Sequence, residues 1–192
     1  MKITVVGCGN AFSNYNYNQS FLLEENNRDL LIDCGFQIGN ALHALGIPLA
    51  TTDDIFCSHL HADHIGYLEG FAFQRYDWAK HPRHYSEGRC APRLIGNKNL
   101  LKDLWEHSLQ GGLKSMEGFD ASLETFFEPV YVEPNQPFYW EGWKCDLIQQ
   151  IHVMTGSVIM NTFGLFMSKE HHPSVYFTTD SQHCSPKQMA IS

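Results

Sequence analysis

Apolar and polar positions change period several times along the chain, and the changes mark its elements. Lys2 to Val6 is a short apolar run that reads as a strand, closed by Gly7-Cys8-Gly9-Asn10, a turn sequence. Ser20 to Glu24 and Asp29 to Asp33 read as two more strands, joined by the polar turn Glu25-Asn26-Asn27-Arg28. Beyond Gln37 the period lengthens: Ile38, Ala41, Leu42 and Leu45 fall at the spacing of one helix face, and Gly46 and Pro48 stop it. Asp54 to Ser58 is the next strand, and Ile65, Leu68, Phe71, Ala72 and Phe73 fit a buried helix behind it. A second helix is predicted over Lys98 to Leu109, after an asparagine cap and before Gly111-Gly112. Four strands follow: Phe126 to Val132, Trp143 to His152, Asn161 to Ser168 and Val175 to Thr179. Strands and helices occur in both halves, so the expected class is α+β, two sheets with helices outside. There is no Pro/Gly/Ser-rich linker and no tandem repeat, so 1–192 is expected to be a single domain.

Composition narrows the possible partners. With 43% hydrophobic residues the chain has ample material for a core, and disorder is excluded. A formal charge of −8 argues against a general nucleic-acid surface, which needs many Lys and Arg contacts to phosphates. The sign reverses locally: Lys80, His81, Arg83, His84, Arg89 and Arg93 stand against the single acid Glu87. That stretch reads as a solvated loop or as a lid that meets phosphate, and a helical lid-like insertion is placed at about 80–122. No run of apolar residues is long enough for a membrane span, and the N-terminus has no signal-peptide pattern, so a cytoplasmic location is expected. The six cysteines form no C-x-x-C pair and are expected to be reduced and mostly buried. Gly7-Cys8-Gly9 is not a dinucleotide loop, because Asn14 to Asn18 behind it is a poor helix former.

The chemistry concentrates in His59-Leu60-His61-Ala62-Asp63-His64, at the end of an apolar strand. On an extended segment His59 and His61 project to one side, and Asp63 and His64 lie past the turn. One loop can thus serve two neighbouring cations. Imidazole suits zinc, and the carboxylate tolerates zinc or manganese.

His-x-His-x-Asp-His after a strand, with Asp33-Cys34-Gly35 before it, resembles the metallo-β-lactamase superfamily. The resemblance implies an αββα sandwich of two mixed β-sheets with helices on the outer faces, here short at the C-terminus. Gly7-Cys8-Gly9-Asn10-Ala11-Phe12 and Asn18-Gln19-Ser20-Phe21-Leu22-Leu23 look like the ribonuclease Z and small phosphodiesterase branch. The run from His59 through Ile65-Gly66-Tyr67-Leu68-Glu69-Gly70-Phe71, with the Trp105 helix and Gly111-Gly112-Leu113, looks like phage and bacterial anti-Pycsar enzymes, which cleave cyclic pyrimidine mononucleotides.

Matched residue by residue, the resemblance implies that His59, His61 and His152 ligate a first metal, and that Asp63 and His64 ligate a second. Asp180 matches the carboxylate that bridges both. Two divalent ions are implied, zinc or manganese, with Asp63 also catalytic in orienting a metal-bridging hydroxide for attack on a phosphodiester. The last histidine expected on the second metal has no match. His183 follows Asp180 too soon, so the chain is truncated, another chain supplies the ligand, or the second metal is weakly held. His43, His81, His84, His107, His171 and His172 match no ligand position, and Ser20 and Cys34 lack the partners of a nucleophile.

The expected function is hydrolysis of a small cyclic nucleotide of the cyclic CMP or UMP type, in evasion of a host's cyclic-nucleotide defence. A homodimer is implied, its lids covering the neighbour's site, with no stable nucleic-acid partner and no membrane. Cations from Lys80 to Arg93 would meet the phosphate, and Trp105, Tyr85 or Phe119 would stack on the base. The alternatives are a ribonuclease Z-like endonuclease acting on tRNA 3′ ends and a non-catalytic metal- or ligand-binding protein.

Overall fold

Asparagines set the first hairpin. In a computed structural model describing residues 1–80, 91–133 and 135–182, β1 (Lys2–Gly7), β2 (Ser20–Glu25) and β3 (Arg28–Ile32) run antiparallel. Asn26 and Asn27, at φ 51° and 63°, form the two-residue turn between β2 and β3. Positive φ at both turn residues matches the twist of the flanking strands, and asparagine tolerates it. The described chain divides into two compact units, Met1–Tyr131 and one beginning at Val132.

In the first unit, β3 is followed by β4 (Asp54–Phe56) and β5 (Arg93–Asn97), which lie parallel to it in the sheet order β1-β2-β3-β4-β5-β8, with β8 at Glu128–Val132. Leu22, Leu23, Leu30, Leu31, Ile32, Ile55, Phe56, Leu94 and Ile95 are buried, a near-continuous apolar run on the inner strands. Because β3 and β4 are parallel, Asp33 and the segment leading to His59 leave the sheet at the same end. At the opposite end buried Asp54 accepts from Arg28 at 3.0 Å and from Arg93 at 2.5 and 2.8 Å. Arg93 is therefore an internal counter-ion rather than one of the cations expected to meet phosphate. The rest of that basic stretch, 81–90, lies outside the described residues, as does Tyr85.

Helix α1 (Ile38–Ala44) buries Ile38, Ala41 and Leu42 as the spacing predicts. Leu45 is 48% exposed, a correction to the expected face. It occupies the C-cap, where Gly46 at φ 71° turns the chain; Gly46 N–H donates to His43 O and Ile47 N–H to Leu42 O, at 3.0 and 2.9 Å. This is the glycine-terminated helix end, and it carries Leu45 off the packed face. After α2 (Ala62–Ile65), α3 (Leu68–Lys80) buries Leu68, Phe71, Ala72 and Arg75 at helical spacing. Phe73 falls between these positions and is 39% exposed, not buried as expected.

Asn97 caps α4 (Lys98–Leu104), its side chain accepting from the Asn99 and Leu100 amides at 3.1 and 3.4 Å. The helix does not stop at Gly111-Gly112. It passes through a π-helical segment, Trp105–Leu109, and then α5 (Gln110–Leu113), after which β6 (Ser115–Met116) and β7 (Phe119–Asp120) form a two-stranded antiparallel sheet. Leu109 and Leu113 are both buried, and that packing outweighs a propensity cost of about 1 kcal/mol per glycine. Phe126 also departs from expectation: it ends a helical turn, α6 (Leu123–Phe126), started by a Ser122/Thr125 capping box, so β8 begins only at Glu128. Within 80–122, expected to be a lid-like insertion, β5 is a strand of the main sheet.

The second unit contains the sheet β12-β11-β10-β9: β9 (Phe138–Trp140), β10 (Trp143–Met154), β11 (Ile159–Ser168) and β12 (Val175–Phe177). Its pairs are antiparallel, so the mixing of strand directions expected for both sheets is seen in the first. Trp143, Cys145, Leu165, Met167 and Phe177 are buried near β9 and β12. Toward the β10–β11 turn the buried positions change parity to Gln150, Thr162 and Gly164. Among the described residues no helix is long and apolar enough to cross a membrane.

Candidate metal centre

Asp33 organises the histidine loop. It ends β3 at φ 63°, a left-handed conformation that costs of order 1–3 kcal/mol for a residue other than glycine. Its side chain is almost fully buried, with three groups on it. Oδ1 accepts from the Ser58 amide at 2.9 Å, and Oδ2 accepts from Ser58 Oγ at 2.8 Å and from His64 Nδ1 at 2.7 Å.

These bonds set two imidazole tautomers. A carboxylate accepts only, so His64 must carry a hydrogen on Nδ1 and, in the neutral ring, a lone pair on Nε2. The Ser58 hydroxyl donates its one hydrogen to Asp33, so at 3.0 Å it accepts from His59 Nδ1, leaving His59 Nε2 unprotonated in the same way. His59 Nε2 faces His61 Nδ1 at 3.1 Å, and His64 Nε2 faces Asp63 Oδ2 at 3.4 Å. The His59 and His64 rings lie 4.1 Å apart, centroid to centroid.

The unprotonated Nε2 atoms of His59 and His64 thus stand next to His61 and Asp63, with His59, Asp63 and His64 all buried. Imidazole nitrogens and a carboxylate oxygen at this spacing are a donor set for a divalent metal ion. The carbonyls of the same loop make the turn: His61 is extended, and its oxygen accepts from the amides of His64 and Ile65 at 2.9 and 3.0 Å. Cys34 N–H donates to His64 O at 2.7 Å, and Phe36 N–H to Ala62 O at 3.2 Å, so the residues after β3 are bonded to α2. A Cβ on Gly35 would stand 1.8 Å from the Asp63 carbonyl oxygen, an approach only glycine allows.

In the second unit, β10 carries a bulge between Ile151 and Val153 that leaves His152 out of the pairing register. Bulges re-aim a side chain, and here His152 Nε2 comes within 3.5 Å of Asp180 Oδ2. Asp180 follows Thr179, which has φ 52°. Each unit therefore groups its share of the expected ligands: His59, His61, Asp63 and His64 in the first, His152 and Asp180 in the second. His183 lies outside the described residues. His107, matched to no ligand position, lies with Asp103 and Glu106 at ligand spacing, on a fully exposed helix surface where Lys102 pairs with Glu106 at 3.9 Å.

Neither suspected nucleophile has the setting for that role. Ser20 Oγ is buried 2.9 Å from the carbonyl oxygens of Ile32 and Asp33, where it holds the end of β3. Burial, and then the neighbouring Asp33 charge, push the Cys34 thiol well above its ordinary range, and the Cys57 thiol rises for the same reasons. Cys34, Cys57 and Cys145 are buried free thiols, whereas Cys8 is exposed. Sequence reasoning singled out Asp33 within Asp33-Cys34-Gly35 but gave it no role in the site, and it missed Ser58. The usable signal was an acidic residue ending an apolar strand directly before Cys34-Gly35.

Comparison with known proteins bears on the fold and the family. The chain shares its fold with the metallo-β-lactamase fold protein YhfI from Bacillus subtilis, at 20% identity and TM-score 0.66 over 93% of this chain and 63% of that one. It shares it also with human tRNase Z, short form, at 15% identity and TM-score 0.69 over 98% of this chain and 72% of that one. Closer in sequence are proteins described as anti-Pycsar protein Apyc1. The one from Paenibacillus xerothermodurans is 38% identical over 69% of this chain and 50% of its own length. The one from Paenibacillus harenae is 42% identical over 80% and 59% respectively. The chain spans about half the length of the curated relatives it matches. The family model for anti-Pycsar protein Apyc1 matches residues 1–191, the histidine loop and Asp33 included. By that match over nearly its whole length, the chain belongs to the Apyc1 family of anti-Pycsar proteins.

Proposed function

We propose that this protein is a metal-dependent hydrolase that opens the phosphodiester of a small cyclic nucleotide, cyclic CMP or cyclic UMP, in evasion of a host's cyclic-nucleotide defence. The observation that carries the reading is the part-buried convergence of His59 and His61 nitrogens at 3.1 Å, beside His64 and Asp63 at 3.4 Å. Membership of a family described as anti-Pycsar supports the biological role. The pyrimidine substrate is supported by the sequence resemblance, and the formal charge of −8 favours a small substrate over a polynucleotide.

His59, His61 and His152 would hold one divalent cation, and Asp63, His64 and Asp180 would complete a second site, with zinc or manganese the occupant. Such ions, when bound, supply Lewis acidity: they lower the pKa of a coordinated water and offset charge on the phosphoryl oxygens. The chain's own residues supply orientation. Asp33 and Ser58 keep the nitrogens of His59 and His64 unprotonated and aimed. Asp63 would also orient the attacking hydroxide toward phosphorus. The assembly proposed is a homodimer.

The test is a substrate panel on the metal-loaded protein. Cyclic CMP or UMP should be converted to the linear monophosphate, with activity lost in His61→Ala. Cleavage of a 3′-extended tRNA with the cyclic nucleotides intact would point to an endonuclease. Hydrolysis of a β-lactam or thioester alone would overturn the phosphodiesterase reading. A metal-loaded protein that turns over none of these would be a binding protein.

A further inference from the structure

Asp180 is fixed by a short strap on the second sheet rather than by a strand of its own. β12 ends at Phe177, and the residue before Asp180, Thr179, is a β-branched residue held at φ 52°. Sterics disfavour that conformation for such a residue, so surrounding contacts must impose it. The structure shows them. Thr179 is buried, and its Oγ1 lies 3.1 Å from Thr162 Oγ1 and donates to Phe163 O at 3.5 Å, both on β11. On the far side of Asp180, Gln182 N–H donates to Ile151 O of β10 at 3.0 Å. Ile151 directly precedes the bulge that turns out His152. The strap is thus tied to β11 before Asp180 and to β10 after it.

Thr162 is fully buried opposite Gln150 in the β10–β11 register. With Thr179 Oγ1 donating to Phe163 O, the Thr162 hydroxyl donates to Thr179 Oγ1. Removing it would leave Thr179 with a single long bond to restrain a disfavoured backbone.

We infer that Thr162 is a positioning residue: through the Thr162–Thr179 hydroxyl pair it holds the backbone at 179 in the left-handed conformation that presents the Asp180 carboxylate beside His152. The inference rests on the reading that Asp180 is a metal ligand, proposed above. It predicts that the Thr162 hydroxyl matters to metal affinity although it touches no metal.

The experiment measures the affinity of the full chain for zinc by competition with a chromophoric chelator, alongside the thermal midpoint of the metal-free protein. Thr162→Val, close in shape, should weaken metal binding about tenfold, the lower end of what loss of a ligand's supporting partner costs. Thr162→Ser, which keeps the hydroxyl, should bind within about threefold of the parent. Thr179→Gly, which permits the same backbone conformation but removes the tether, should weaken binding as Thr162→Val does, and it reads the tether should Thr162→Val fail to fold. A Thr162→Val protein that binds metal as the parent does, with only its thermal midpoint lowered, would overturn the inference and leave the metal reading standing. Asp180→Asn is the control: if it too binds as the parent, Asp180 is no ligand and both readings fall.

Discussion

At the scale of single residues, Asp33 and Ser58 matter most, because they decide which nitrogens of His59 and His64 are available. Ser58→Ala removes the relay from Asp33 to His59, so the His59 ring is free to take the wrong tautomer. Metal affinity should fall roughly tenfold or more, the usual cost of losing an outer partner. Stability should fall by about 1–3 kcal/mol, because Asp33 Oδ2 loses a donor in a buried setting. Metal titration and denaturant unfolding of the same variant check both figures. Thiol reactivity is a second residue-level prediction. Cys8 should be alkylated at pH 8 in the native protein, whereas Cys34 and Cys57, whose thiols burial holds in the protonated form, should be labelled only on unfolding. Peptide mapping after a short exposure to iodoacetamide distinguishes them. The histidines themselves were legible because four ligand-type residues within six positions have few structural uses. Asp33 was not, since its role lies in three hydrogen bonds to residues 25 and more positions away, which no local spacing encodes.

Elements follow the hydrophobic period where one face packs and depart from it at their ends. Leu42 and Leu45 belong to the same predicted stripe, yet Leu42 is fully buried and Leu45 half exposed. Leu42→Ala should therefore cost about 2–5 kcal/mol, and Leu45→Ala no more than about 0.5 kcal/mol. Urea unfolding midpoints at a common slope read the difference. The misread boundaries share a cause. Gly111-Gly112 is a stop signal locally, but buried Leu113 beyond it draws the helix through. Phe126 looks like the start of an apolar strand, but the Ser122/Thr125 box had already begun a helical turn. In both cases tertiary packing or capping outweighed the pattern. The hairpin at Asn26-Asn27 was legible because its turn chemistry and the flanking alternation agree.

For the whole molecule, an acidic chain of the Apyc1 family carries a His and Asp donor set suited to a divalent metal ion. A ligand that binds only the folded chain stabilises it by mass action, about 2.7 kcal/mol per site at a hundredfold excess over the dissociation constant. Chelation should accordingly lower the thermal midpoint, and adding zinc or manganese back should restore it. A midpoint indifferent to chelator would mean that the metal contributes nothing to the folded state. Whether the His59–His64 loop holds metal is decided by metal content per chain, measured on the parent chain and on His61→Ala after equilibration with zinc and removal of the excess. Two equivalents are expected in the parent and at most one in a folded His61→Ala protein. A metal-free parent, or a variant that retains both equivalents, would contradict the metal reading.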